Sequence, residues 1–212
     1  HSTAAEQQSQ PQRSAIMHVC GLLLAAGRAT RFGSDKLLAP LPHATLDMPA
    51  GTPLGEAAAR RLAQVLPTSV AVVRRDVPTL RALFVRSGLR VVECTEADAG
   101  MGASLACGVR ATNGADAWVV ALADMPWIAP TTIRHVVHAL QHGADIVAPV
   151  HRGNRGHPVG FARRHFAALA ALTGDAGARE LLHSEADAVT LIDVDDPGIV
   201  RDVDTPAALH NG

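Results

Sequence analysis

Aromatic side chains and net charge are both scarce in this sequence. The 212 residues include no tyrosine, aromatic residues make up 3%, and the formal net charge at pH 7 is −1. Proteins that bind nucleic acid usually combine a basic surface with aromatic side chains that stack on bases. The composition therefore predicts no nucleic-acid partner.

Long apolar runs and closely spaced cysteines are also missing. No run approaches the roughly 18 apolar residues that a membrane-spanning helix needs, so we expect no membrane association. Cys20, Cys94 and Cys107 are isolated and lack the spacing of a metal site. Such thiols are typical of a reducing compartment, and we therefore expect a cytoplasmic protein.

Two parts of different composition divide the chain. Residues 1–17 are rich in Ser, Gln and Ala without periodicity, which predicts a disordered tail. This stretch has no apolar core of the kind found in secretory signals. Residues 18–212 carry the hydrophobic periodicity and are predicted to form a single domain.

Short apolar runs alternate with helical patterns through this domain. Apolar runs typical of buried strands occur at 22–25, 70–73, 89–92, 118–123 and 145–150. Amphipathic helices are predicted between them, for example at 54–66 and 130–142. Alternation of this kind predicts an α/β fold: a mostly parallel, Rossmann-like sheet with helices on both faces. Ligands of such sheets bind beyond the carboxyl ends of the strands.

A glycine-rich loop follows the first predicted strand, in the sequence GLLLAAGRATRFGSDK of residues 21–36. Gly27 and Gly33 would let backbone N–H groups approach an anion, which two arginines and Lys36 would then hold. The G-x-G-x-x-G fingerprint is absent, and no lysine directly follows the second glycine as it does in a P-loop. The loop is either a phosphate-binding loop of another type or a turn with surface arginines.

The residues of this loop resemble a family signature. Leu24–Gly27, Arg31–Gly33 and Lys36 are similar to the signature of small nucleotidyltransferases that handle molybdenum cofactor, most closely the molybdenum cofactor cytidylyltransferases. The resemblance runs from about residue 19 to residue 209. In that family the loop wraps a nucleotide triphosphate and its lysine contacts the phosphates. By position, the resemblance implies nucleotide binding by Leu24, Ala25, Ala26, Gly27, Arg28, Arg31, Gly33 and Lys36, with Arg31 and Lys36 also catalytic.

Three later segments resemble other parts of the family pattern. Residues 98–108 resemble the segment that meets the base and ribose, which implies roles for Gly102 and Ser104. Gly156-His157-Pro158 resembles the acceptor-side motif near the pterin phosphate, and residues 174–179 resemble a second acceptor motif. The acceptor-binding residues so implied are His157, Pro158, Asp175 and Arg179. Taken alone, residues 98–108 favour a flexible connection, and the segment around Gly156-His157-Pro158 is about equally compatible with a polar hairpin tip. Residues 174–179 taken alone indicate only a turn that caps the following helix.

Acidic residues at two places suggest a metal site. Asp124 directly follows the strand predicted at 118–123, where a carboxylate can hold Mg²⁺ above the sheet edge or simply cap a turn. The resemblance matches Asp124 to the family's metal-binding aspartate and adds an acidic residue near the C-terminus. Asp202 and Asp204 match that place, and we expect at least one of them, with Asp204 preferred, to join Asp124.

The local geometry of the acidic pair leaves an alternative open. An extended segment would point Asp202 and Asp204 to opposite sides, whereas a turn before Thr205-Pro206 would remove that restriction. Alternatively, both carboxylates flank the N-terminus of a short last helix, where negative charge is favourable.

The resemblance implies a reaction, in which CTP and molybdenum cofactor give the cytosine dinucleotide cofactor and pyrophosphate with Mg²⁺. A molybdenum hydroxylase apoenzyme or its chaperone would receive the product. A phosphate acceptor is already an anion and needs no general base, which fits the lack of a convincing Ser–His–Asp set.

Two alternatives to this reaction stay open. A GTP-dependent guanylyltransferase is disfavoured by Ala26 but favoured by Asp35, which also occurs before the lysine in guanylyl-type loops. A non-catalytic carrier of molybdenum cofactor is disfavoured by the presence of Lys36, Asp124 and the acidic pair.

Overall fold

A central eight-stranded sheet organises the computed structural model, which describes residues 16–27 and 35–210. The strands are β1 (Val19–Leu24), β2 (Val70–Arg74), β3 (Arg90–Cys94), β4 (Ala117–Leu122), β5 (Ile146–His151), β6 (Asn154–Arg155), β7 (Val159–Ala162) and β8 (Val189–Asp193). The α-helices are α1 (Leu54–Val65), α2 (Pro78–Arg86), α3 (Met101–Ala111), α4 (Pro130–Gln141), α5 (Phe166–Ala170), α6 (Arg179–Ser184) and α7 (Pro206–His210). The predicted tail, residues 1–17, falls almost wholly outside the described residues and stays a prediction.

The sheet has the strand order β3-β2-β1-β4-β7-β5-β6, with β8 beside β5. Strands β3, β2, β1 and β4 pair in parallel, as do β5 and β8. Strand β7 runs antiparallel between β4 and β5, and β6 is antiparallel to β5. The predicted mostly parallel α/β sheet in a single domain is confirmed. In the register of β1 and β4, Leu24 lies opposite Leu122, so the residues that follow these two strands are neighbours.

Helices cover both faces of the sheet, as predicted. Alternate strand residues point to opposite faces: Leu23 packs with α1, α2 and α4, whereas Leu22 packs with α3, α5 and α6. A third apolar cluster joins the residues before α1 to the C-terminal segment. It consists of Leu41, Met48, Leu54, Ala57, Val203 and Leu209. None of the helices in the described part of the chain is long and apolar enough to cross a bilayer.

The segment from residue 37 to residue 51 shows no helical or strand pattern in its sequence, yet it is packed against the domain. Arg61 of α1 is 7% exposed and donates to both carboxylate oxygens of Asp47, from Nε at 3.1 Å and from a terminal nitrogen at 2.7 Å. It also donates to the carbonyl of Ile128 at 3.3 Å. A long-range ion pair therefore orders this segment, and no local periodicity could have predicted it.

A buried carboxylate fixes the chain that leads to the C-terminus. Asp196 is 7% exposed, and its Oδ2 accepts hydrogen bonds from the Ala129 amide at 2.9 Å and the Thr132 hydroxyl at 2.6 Å. Its Oδ1 accepts from the Gly198 amide at 3.0 Å. These bonds hold the 3-10 turn Pro197–Val200 against the start of α4.

We expect Asp196→Ala to lower the free energy of unfolding by about 2–4 kcal/mol, because three buried or partly buried donors lose a charged acceptor. Asp195→Ala is the matched control, since Asp195 is the exposed neighbour and should change stability by less than about 0.5 kcal/mol. Urea unfolding measures both variants. Equal midpoints for the two would contradict the anchoring role of Asp196.

Candidate active site

A cavity of about 510 Å³ opens at the carboxyl ends of β1 and β4. Its walls come from Leu24–Gly27 after β1, from residues 35–37, from the start of α3, from Leu122–Asp124 after β4, and from Asp175. This is the edge at which parallel α/β sheets bind ligands. The position therefore agrees with the expectation from the sequence.

Three carboxylates gather beside this cavity. The Val203 amide donates a hydrogen bond of 3.1 Å to the Asp124 carbonyl oxygen, which lays the C-terminal segment across the end of β4. Val203 is fully buried, while Asp202 and Asp204 on either side of it are exposed. One oxygen from each of Asp124, Asp202 and Asp204 lies within 4.8 Å of the others.

The acidic pair therefore does not point to opposite sides. Residues 201–204 form no strand, so the restriction of an extended segment does not apply. Thr205 caps the short helix α7, with its Oγ1 accepting from the Ala208 amide at 3.3 Å. The structure brings Asp202 and Asp204 together with Asp124, in the arrangement that the turn before Thr205-Pro206 was expected to allow.

The side chain of Lys36 contacts two of the carboxylates. Its Nζ is 2.9 Å from Asp124 Oδ2 and 3.7 Å from Asp204 Oδ1. The 3-10 turn Lys36–Leu38 holds the lysine backbone, because the Leu37 side chain is buried and its amide donates to Asp35 Oδ1 at 3.3 Å. The residue expected at the phosphates thus forms an ion pair with the expected metal ligand.

The clustered negative charge perturbs one member of the group. Partial burial, together with the neighbouring carboxylates Asp204 and Asp124, raises the pKa of Asp202. A cation between these groups would relieve the repulsion. Carboxylate oxygens are the ligands that Mg²⁺ prefers, and one or two of them suffice alongside substrate phosphates, so the donor set fits such an ion.

The other wall of the cavity depends on a contact between α3 and a distant turn. The Gly174 carbonyl accepts hydrogen bonds from the amides of Gly102 at 2.8 Å and Ala103 at 3.3 Å. Asp175 Oδ1 accepts from the Met101 amide at 3.3 Å. The first amides of α3 are therefore used within the protein, which makes them poor candidates for holding a phosphate.

This contact requires glycine in α3. A Cβ atom at Gly102 would lie 2.7 Å from the Thr173 carbonyl oxygen, closer than such atoms approach. Gly102, expected at the nucleotide, thus packs against the turn, while Ser104 lines the cavity and donates to the Gly100 carbonyl at 3.3 Å.

The two segments expected to bind the acceptor lie at different places. Asp175 lines the cavity and Arg179 is exposed at the first residue of α6. The His157 amide donates to the Ile199 carbonyl at 2.9 Å, and neither His157 nor Pro158 is part of the cavity wall. Burial lowers the pKa of His157 and the charge of Asp124 opposes this shift, so the imidazole lies within electrostatic range of the carboxylates.

Part of the expected site lies outside the described residues. Arg28, Arg31 and Gly33 fall in the range 28–34, and their assignments stay predictions. Conversely, the cavity wall includes Asp98 and Met101, which were not assigned from the sequence. Their only sequence signal is their position in the second glycine-rich segment.

Comparisons with known proteins identify the family. A family model described as MobA-like NTP transferase domain matches residues 21–189. The chain belongs to this family. It therefore contains a nucleotidyltransferase domain, and the resemblance found in the glycine-rich loop is confirmed at the level of the family. The residues that the family model matches end before Asp202 and Asp204.

Two curated relatives match almost the whole chain. The purine catabolism protein PucB of Bacillus subtilis is 30% identical over 201 residues, which cover 89% of this chain and 93% of PucB. The nicotine blue oxidoreductase of Paenarthrobacter nicotinovorans is 30% identical over 199 residues, covering 91% and 95% of the two chains. The names of these relatives place different activities within one group of similar sequences.

Solved structures show the same fold. Rv0371c of Mycobacterium tuberculosis is 28% identical with a TM-score of 0.77, over 92% of this chain and 96% of that one. Its complex with manganese is 27% identical with a TM-score of 0.72, over 92% and 97% of the chains. A divalent metal is therefore bound in a related structure.

We expect Gly102→Ala to lower the free energy of unfolding by about 1–3 kcal/mol, because the added methyl group must displace the backbone of the turn at Thr173 and Gly174. Hydrogen exchange at the amides of residues 102 and 103 should accelerate as their bonds to Gly174 weaken. Gly114→Ala is the control, since a Cβ there meets nothing within 4 Å. If Gly102→Ala keeps wild-type stability and wild-type hydrogen exchange, as the control should, the contact between Gly102 and the turn does not require glycine.

Proposed function

We propose that this protein transfers CMP from CTP to the phosphate of molybdenum cofactor and releases pyrophosphate. The observation that carries the proposal is the convergence of Lys36, Asp124 and the C-terminal acidic pair beside a cavity at the sheet edge. Nucleotidyl transfer depends mainly on positioning and on stabilising charge on phosphate oxygens, and these groups are suited to both.

The three carboxylates would hold Mg²⁺. Asp124, Asp202 and Asp204 supply hard oxygen ligands from two chain segments. When bound, the ion would neutralise charge that develops on the phosphate oxygens. The manganese complex of the similar mycobacterial protein supports a divalent cation.

The protein's own groups have separate tasks in this proposal. Lys36 binds phosphate oxygens of the triphosphate, and Arg28, Arg31 and Gly33 complete the loop around it. The backbone of Ala25–Gly27 lines the cavity on the phosphate side, and Ser104 lines it on the nucleoside side.

In this proposal the acceptor is bound by the two segments that the sequence indicated. His157 and Pro158 orient the acceptor phosphate, while Asp175 and Arg179 contact the rest of the acceptor. Burial keeps the His157 imidazole uncharged at neutral pH by lowering its pKa, so it can offer a hydrogen bond without adding charge. The acceptor phosphate is itself the nucleophile, so no residue has to remove a proton from it.

The same residues would also suit two other functions, and an assay can distinguish them. A guanylyltransferase would use the same carboxylates and lysine with GTP. A carrier would bind molybdenum cofactor without turnover, which would leave the Lys36–Asp124 pair and the acidic cluster without a task. We further propose that a molybdenum hydroxylase apoenzyme or its chaperone receives the product in the cytoplasm.

We expect pyrophosphate release when the protein is incubated with Mg²⁺, molybdenum cofactor and CTP, and much less with GTP, ATP or UTP. Asp124→Asn should lower kcat by about 100-fold or more, because it removes a charged group that acts at the reacting phosphate. Asp116→Asn is the control: Asp116 precedes β4 at the opposite edge of the sheet, where its Oδ2 accepts from the His18 amide.

The same assay separates the alternatives. Release with GTP alone would reassign the nucleotide. Stoichiometric binding of the cofactor without pyrophosphate from any nucleotide would replace the enzyme by a carrier.

We expect His157→Asn to raise the KM for molybdenum cofactor by about five- to twelvefold and to leave the Kd for CTP within about twofold, since one hydrogen bond to the acceptor is worth about 1–1.5 kcal/mol. His135→Asn, an exposed change on α4, is the control. Steady-state kinetics and nucleotide titration give the two constants. Loss of CTP binding with an unchanged KM for the cofactor would move His157 to the nucleotide side.

A further inference from the structure

Lys36 and the carboxylates of Asp124, Asp202 and Asp204 form one cluster of opposite charges. Three carboxylates approach within 4.8 Å of one another, and the ammonium of Lys36 contacts two of them, Asp124 Oδ2 at 2.9 Å and Asp204 Oδ1 at 3.7 Å. The lysine side chain is only 17% exposed, so water screens these contacts less than it would at an open surface. The ammonium is thus a counter-ion of the cluster.

The ammonium and a divalent cation need the same carboxylates, Asp124 and Asp204. Mg²⁺ binds oxygen ligands at about 2.0–2.1 Å and demands strict geometry around itself. A carboxylate that accepts a hydrogen bond from Nζ is less available as a ligand of a metal ion. Two cations beside the same carboxylate would also repel each other.

The backbone of Lys36 is held in place, whereas the bonds of its side chain can rotate. Leu37 is buried and Asp35 caps the 3-10 turn, so the Cα of Lys36 has a defined place at the cavity edge. Four methylene groups carry the ammonium, and rotation about their bonds can redirect it. Both Lys36 and Asp124 line the cavity, so the ammonium can turn from the carboxylates into the space proposed for the triphosphate.

We propose that Lys36 and the divalent cation occupy the carboxylates in alternation, so that the metal binds together with the nucleotide rather than before it. The inference rests on the proposed function, because the nucleotide phosphates are what draws the ammonium away. Metal alone has to displace the ammonium without supplying a phosphate that would receive it, and the metal therefore binds weakly. A nucleotide carrying the metal supplies both the replacement cation for the carboxylates and an anion for Lys36.

The inference predicts that removing the ammonium improves metal binding in the absence of nucleotide. Mn²⁺ binding to the full chain, measured by electron paramagnetic resonance of the free ion, should be about tenfold tighter for Lys36→Met than for the wild type, within the usual range of couplings between bound ligands. Methionine keeps the apolar stem of the side chain. Lys36→Gln serves as the second variant, and circular dichroism checks the fold of both.

Two controls separate displacement from a general effect of charge. Arg155→Met removes a positive charge from exposed β6, which acts on His157 electrostatically, and it should change Mn²⁺ affinity by less than about threefold. The double variant Lys36→Met with Asp124→Asn should lose the gain, because the oxygen released by the lysine is removed as well.

The Mn²⁺ affinities test the alternation of lysine and metal, and pyrophosphate release tests the proposed reaction separately. Equal Mn²⁺ affinities for the wild type and both Lys36 variants would overturn it, as would an equal gain from Arg155→Met. Pyrophosphate release by the wild type would still support nucleotidyl transfer in either case. A tenfold gain for Lys36→Met in a protein that releases no pyrophosphate would support the alternation and reject the proposed reaction.

Discussion

One backbone hydrogen bond determines the composition of the site. The Val203 amide donates to the carbonyl of Asp124, which lies two residues beyond the end of the central strand β4, and so places two further carboxylates beside the first. The Val203 side chain is buried and packs with Leu54 and Leu209, which stabilises this contact. Farther upstream, Asp196 and Gly198 fix the direction of the chain, because a Cβ at Gly198 would lie 2.2 Å from the Trp127 carbonyl oxygen. The acidic pair therefore reaches the sheet edge through interactions made elsewhere.

The cluster of negative charge at this site destabilises the folded protein. Three carboxylates within 4.8 Å repel one another, and the raised pKa of Asp202 is a consequence of that repulsion and of partial burial. Lys36 offsets part of the charge in the absence of other cations. Clusters of this kind are unfavourable for stability and are common where phosphate chemistry is carried out with a metal.

The cavity joins parts of the chain that have no local reason to meet. Gly102 in α3 and Gly174 in the turn before α6 are 72 residues apart, yet the amide of one donates to the carbonyl of the other at 2.8 Å. Asp175 is carried to the cavity by this contact, and His157 is held near Asp124 by its bond to Ile199. Both Asp175 and His157, which were expected at the acceptor from the sequence, are thus positioned by contacts with distant parts of the chain.

The sequence alone determined the class of fold and the elements that carry the site. The alternation of apolar runs and helical patterns identified the parallel sheet, because burial between two helical layers leaves a continuous apolar run in each strand and a helical period in each helix. The loop from Leu24 to Lys36 identified the family. Only the tertiary structure decided that residues 37–51 are ordered by Arg61, that Lys36 pairs with Asp124, and that Asp202 and Asp204 both lie beside Asp124. These outcomes depend on contacts between residues 14 to 168 positions apart, and the packing that brings such residues together leaves no periodic trace in the chain.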